Sequence, residues 1–202
     1  MRHLPIDARG YPVPWFVQWV DGAPDFRIMD RAKWARALRF GNCWLCGDPC
    51  GKQRTFVIGP MCAINRTTSE PGCHYDCAEF AALACPFMTL PAAQYRSANL
   101  PPNTQTPGGV AITRNPGVTC LWSTIEWSVF RATVGAPGQL IHLGEPREVR
   151  WFARARAATR DEVEDSIRGG FPLLEEAARA QGLNSVATLH SMRAAFSRWL
   201  PG

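Results

Sequence analysis

The sequence predicts an α+β fold, and three observations predict it. Near the front, Cys43-Trp44-Leu45-Cys46 and His74-Tyr75-Asp76-Cys77 form two pairs with two residues between the members of each and 27 residues between the pairs. From about residue 110 to 152, short β-branched and aromatic pieces are separated by Gly and Pro, as in a small antiparallel sheet. From Thr159 to Trp199 the apolar residues recur at helical spacing. The expected organisation is a front module over 1–90, a linker over 91–109, and a back part of sheet plus three helices over 110–202.

Composition bounds the function. The 46% hydrophobic content of this 202-residue chain supplies a real core, and its 8 tryptophans imply that the two parts share buried surface. No apolar run approaches the ~20 residues that span a bilayer, and Met1 to Asp7 lack the apolar stretch of a signal peptide, so a cytoplasmic protein without a membrane partner is expected. Seven of the 8 cysteines crowd into residues 43–85, and in a cytoplasmic chain paired spacing points to metal rather than disulfides.

The elements follow in order. Trp15 to Val20 is rich in aromatic and β-branched residues and reads as a strand. Asp21 to Pro24 is a turn, and Phe26 to Met29 the return strand. Asp30 caps a helix from Arg31 to about Phe40, with Trp34 and Leu38 on one face and Lys33, Arg36 and Arg39 on the other. Arg54 to Gly59 and Met61 to Ile64 are expected to pair as a short hairpin. A helix from His74 would bury Cys77, Phe80, Ala81 and Ala84 and end at Pro86. In the back part, strands are expected at 110–113, 118–122, 127–130, 140–143 and 149–152. Thr159 and Glu162 form a capping box, Gly169-Gly170 is expected to break the helix it starts, and Pro172 to open another running to Gly182. The last helix begins near Asn184 and lines up Val186, Leu189, Met192, Phe196 and Trp199.

Knuckle, hairpin, then a helix carrying two ligands in its first turn is the order of a treble-clef zinc module. Cys43, Cys46, His74 and Cys77 would hold one zinc ion: thiolates are soft enough for zinc, and the imidazole completes a closed tetrahedron, which marks a structural ion. Cys73, beside His74, is an alternative third ligand, while Cys50, Cys62 and Cys85 read as core or loop thiols and Cys120 as packed in a strand.

Two basic clusters could grip a phosphate backbone. Lys33, Arg36, Arg39, Lys52, Arg54 and Arg66 surround the zinc module, and Arg150, Arg154 and Arg156 interleave with Trp151 and Phe152. The net charge of +5 is too modest to decide the matter, and a solvated basic face explains the same residues. Treble-clef nucleases need a histidine on the hairpin, and 56–62 contains none. The leading reading is therefore a non-enzymatic accessory protein that binds nucleic acid. The alternatives are a module that binds and inhibits a host protein and a metal-dependent nuclease.

Phe56 to Arg66, His74 to Ala78 and Ala84 to Phe87, with Trp44, resemble a family of treble-clef-like zinc proteins from GC-rich bacteria and their phages. The shared signatures are Gly-Pro-Met-Cys, here ending at Cys62, and Cys-Pro-Phe, here starting at Cys85. The resemblance spans about 10–91, with a looser match over 151–182. It implies the zinc ligands and a mobile-element origin, gives Cys62 and Cys85 more weight than an inert thiol has, and implies no substrate.

Overall fold

The computed structural model describes residues 3–90, 93–96, 98–101, 104, 107–110 and 115–202. Residues 111–113 of the expected strand, and residues 91, 92, 97, 102, 103, 105 and 106 of the expected linker, therefore lie outside the described residues.

The chain opens with a hairpin of β1 (Val17–Val20) and β2 (Ala23–Met29). Asp21 and Gly22 both have positive φ, 48° and 79°, the tight two-residue turn whose twist suits paired strands. Helix α1 (Arg31–Phe40) follows, with the Asp30 carboxylate accepting from the amides of Ala32 and Lys33 and a left-handed Gly41 closing its end. The indole of Trp34 donates to the Ser69 carbonyl at 2.8 Å, fixing α1 to the loop that leads into the second ligand pair.

A four-stranded antiparallel sheet, in the order β3 (Arg54–Ile58), β5 (Thr119–Thr124), β8 (Glu148–Ala153), β9 (Arg156–Ala157), forms the centre. All six residues of β5 are buried, as a strand covered on both faces requires. Alternation sorts the side chains. Phe56, Ile58, Cys120, Trp122, Trp151 and Ala153 enter one core, while Val57, Leu121 and Phe152 pack against the cysteine-rich module on the other face. A second sheet pairs β4 (Thr67–Thr68), β7 (Gln139–Leu143) and β6 (Trp127–Arg131).

The structure corrects four sequence expectations. Met61 to Ile64 are helical: α2 (Pro60–Asn65) starts with Pro60 in its first turn, and Met61, Ala63 and Ile64 are buried on it. The partner of β3 is β5, paired from Arg54↔Thr124 to Ile58↔Cys120, so no hairpin forms over 54–64. Helix α3 (Tyr75–Ala84) buries Cys77, Ala78 and Ala82, while Phe80 and Ala84 face solvent. Helix α5 (Arg160–Arg179) runs unbroken through Gly169, Gly170 and Pro172. Its buried residues Val163, Ile167, Gly170, Leu174 and Ala178 form one continuous face, and Gly170 lets the backbone approach Met61. The capping box at Thr159 and Glu162 is in place. A short turn, α4 (Pro86–Thr89), follows α3, and α6 (Leu183–Phe196) seals the first core with Leu189 and Phe196.

Candidate metal centre and basic surface

The first ligand pair sits in a knuckle. Gly47 has a φ of 83° and donates to the Cys43 carbonyl at 2.9 Å, folding the chain so that the amide of Cys46 faces the Cys43 sulfur at 3.5 Å. Trp15 packs where a side chain at residue 47 would lie. The second pair stands on α3. His74 is its N-cap and Cys77 lies in its first turn, where the positive end of the helix favours a thiolate. The amide of His74 also points at the Cys43 sulfur, 3.4 Å away.

Cys43, Cys46, His74 and Cys77 lie close enough to hold a metal ion, with all four ligand atoms within 4.8 Å of one another. His74 Nδ1 is 3.4 Å from the Cys46 sulfur and 3.9 Å from that of Cys77. Ordinary bond lengths at a tetrahedral zinc ion would space sulfur and nitrogen about 3.6 Å apart, and these two distances lie on either side of that value. His74 Nε2 donates to the Pro49 carbonyl at 3.0 Å, which leaves Nδ1 free to ligate. His74, rather than its neighbour Cys73, completes the group.

Cys73 is nevertheless close by. The Cys43 sulfur takes side-chain hydrogen bonds from Cys50 and Cys73, which hold it far below the usual thiol range. Burial pushes Cys46 up to about 11 and raises Cys77 as well. The sequence offers Cys73 as an alternative third ligand and Cys50 as a core or loop thiol; the nearness of Cys50 to Cys46 along the chain is the signal that it lies by the knuckle. Cys62 is on α2, pushed up to about 11 by burial, and Cys85 follows α3, so neither belongs to the four-residue group. Cys120 is fully buried in β5 as expected.

The nine candidate phosphate-binding residues divide sharply. Arg66 pairs with Glu145 at 2.6 Å, Arg150 with Glu148 at 2.8 Å and Arg156 with Glu162 at 2.7 Å. Lys33 donates to the Val17 carbonyl and lies 3.7 Å from Asp30, and the Arg54 guanidinium covers the Trp127 ring at 4.5 Å. Arg36, Arg39, Lys52 and Arg154 are exposed and carry no ion pair among the described residues. Trp151 and Phe152 are buried on opposite faces of the central sheet, so they cannot stack on bases beside the second cluster. Phe40, at the end of α1 with Arg39 over its ring, is 64% exposed.

No protein-family model, no curated protein and no solved structure matches this chain significantly. Among the described residues, no helix is long and apolar enough to cross a membrane.

Proposed function

We propose that this chain is a zinc-stabilised, non-enzymatic accessory protein that binds nucleic acid through the basic end of α1. The observation that carries the reading is the set Arg36, Arg39 and Lys52, exposed and free of ion pairs among the described residues, beside the exposed Phe40 and the cysteine knuckle. Three cations with no carboxylate to satisfy them can neutralise phosphates, and an exposed ring next to them offers a face for a base.

The donor set supports zinc as the ion. Three sulfurs and one imidazole are soft ligands, and four protein donors leave no open position for catalysis. The knuckle and the ligand-bearing helix keep the treble-clef order, with β3 given over to a larger sheet where the treble clef has a hairpin. The family resemblance adds a mobile-element setting.

The test is retention on DNA or RNA as salt is raised. Binding that weakens with salt and is lost in Arg36→Glu plus Arg39→Glu supports the reading. Retention unchanged by that double reversal overturns it, and magnesium-dependent strand cleavage overturns its non-enzymatic part.

One observation favours the second reading, a module that binds a host protein. Phe80, Leu83 and Phe87 on α3 and α4, with Leu90 just after them, are 45%, 38%, 41% and 58% exposed, a run of large apolar side chains beyond what a solvated surface needs. Loss of a co-purifying stoichiometric protein in Phe80→Ser plus Phe87→Ser, with no nucleic-acid retention by the parent chain, would decide for it.

A further inference from the structure

Exposed aromatic rings stand at both ends of the basic side of α1. At 3.6 residues per turn, Lys33, Arg36 and Phe40 share one stripe, to one side of the buried Ala37. Phe40 closes the helix, 64% exposed, with the Arg39 guanidinium 5.1 Å from its ring centroid. At the other end Lys33 donates to the Val17 carbonyl at 3.2 Å, which ties α1 to β1. Trp19, further along β1, is 46% exposed. Trp19 and Lys33 line one cavity of about 190 Å³, whose other walls include His3, Pro14 and Trp15.

We propose that this face takes single-stranded nucleic acid, with one base stacked on Trp19, another on Phe40, and the phosphates between them on Arg36 and Arg39. The proposal rests on the reading of the basic end of α1 as a nucleic-acid site.

The rings decide between strand and duplex. Inside a duplex both faces of a base are covered by its neighbours, so a protein reads it by polar contacts to the groove edges. Helix α1 carries no amide or hydroxyl side chain for that purpose, and Phe40 would meet a groove edge with a bare ring. An unpaired strand offers base faces, and stacking on them tolerates any sequence. The spacing suits a strand laid along the helix. With Trp19 against the Lys33 end, about 10 Å of helix lies between the two platforms. That is about three times the ~3.4 Å rise per nucleotide of a stacked strand, so the chain of phosphates passes Arg36 on its way. The cavity beside Trp19 is smaller than the ~300–1,000 Å³ of drug-sized sites, in keeping with a single base. Arg36 and Arg39 are exposed and carry no ion pair among the described residues, so both are available to phosphate.

The full-length, metal-loaded chain is titrated with fluorescent oligo(dT), oligo(U) and a mixed-sequence duplex of equal length, all at one salt concentration. One or both single strands should bind at least about 10-fold tighter than the duplex, and the tighter of the two tells DNA from RNA. Trp19→Ala and Phe40→Ala should each weaken single-strand binding by roughly 5- to 150-fold and leave duplex binding and its salt slope unchanged. Trp19→Phe and Phe40→Trp, which keep a ring, should restore most of the affinity. Duplex bound as tightly as either strand, or single-strand affinity that either alanine change leaves unaltered, overturns the single-strand site and leaves the nucleic-acid reading standing. A chain that binds none of the three overturns both.

Discussion

His74 Nε2 lies 3.0 Å from the carbonyl oxygen of Pro49, and that contact decides which face of the imidazole meets the sulfurs. A carbonyl only accepts, so Nε2 carries the proton and Nδ1 keeps its lone pair toward Cys46 and Cys77. His74→Ala should lower metal affinity by more than the ~10–100-fold that loss of an outer hydrogen bond costs. His74→Cys, which restores a soft fourth donor, should keep the capacity to bind one ion. Competition with a chromophoric chelator measures both.

The same coordination should hold the front module in shape, because binding energy at a closed structural site is folding energy. Trp44 reports on it: it is 2% exposed, lies between the candidate ligands Cys43 and Cys46, and stacks on Phe16 at 5.0 Å. Excess chelator, or Cys46→Ser, should shift Trp44 emission toward that of a water-exposed indole. Unchanged emission after complete metal removal would show that packing alone keeps the knuckle.

Charge reversal should separate bound arginines from free ones. Arg36→Glu plus Arg39→Glu should reduce the slope of log affinity against log salt by about 2, with each lost phosphate contact contributing roughly 0.9. Arg150→Glu plus Arg156→Glu should leave the slope unchanged, since Glu148 and Glu162 already occupy those guanidinium groups.

What could be read from the sequence was local. The ligand pairs, the Asp30 cap and the Thr159–Glu162 box depend on residues within four positions of one another. The partner of β3 lies more than sixty residues away, so nothing near Arg54–Ile58 announced it. The Met61–Ile64 run suits a strand by composition, while Pro60 in the first turn is the local signal for a helix. Gly169-Gly170 reads as a break by propensity alone, whereas the apolar face continues across it. The second arginine cluster lost its aromatics for a similar reason: a strand covered on both faces buries Trp151 and Phe152 alike.

The two glycines of α5 should respond oppositely to substitution. Gly169 is exposed, so Gly169→Ala should stabilise by about 0.5–1 kcal/mol through helix propensity alone. At Gly170 even a Cβ would lie 3.2 Å from the Met61 sulfur, so the two branches of Gly170→Val should cost about 1–3 kcal/mol by overpacking. Urea denaturation gives both values.

Glu162 should make stability depend on acid. Hydrogen bonds from Arg156 and then from the Thr159 amide draw its carboxyl from 4.5 down to about 2. A group lowered on folding stabilises fully above its unfolded value, and that stabilisation fades as pH falls from about 4.5 through 2. A shift of this size would be worth about 3 kcal/mol undamped. Arg156 is 49% exposed, and screening reduces the expectation to about 1 kcal/mol. Glu162→Gln should therefore lose about 1 kcal/mol at neutral pH, and its difference from the parent should vanish in strong acid.

Thr55 and Ser123 bring the candidate metal centre and the central sheet together, and a double-mutant cycle should expose the link. Their hydroxyls share a buried hydrogen bond of 2.8 Å across β3 and β5, while the backbone of Thr55 pairs with Cys73 next to the ligands. Thr55→Val removes one partner and strands the Ser123 hydroxyl away from water, a cost of about 1–3 kcal/mol. Ser123→Ala strands the Thr55 hydroxyl in the same way. Removing both should cost less than the sum, because no unpaired hydroxyl remains, with a coupling of about 0.5–3 kcal/mol. The Thr55 backbone pairing is untouched by either change, so metal affinity should stay the same throughout the cycle. A fall in affinity that tracked the loss of stability would instead mean that the sheet, and not the knuckle and α3 alone, sets the geometry of the ligands.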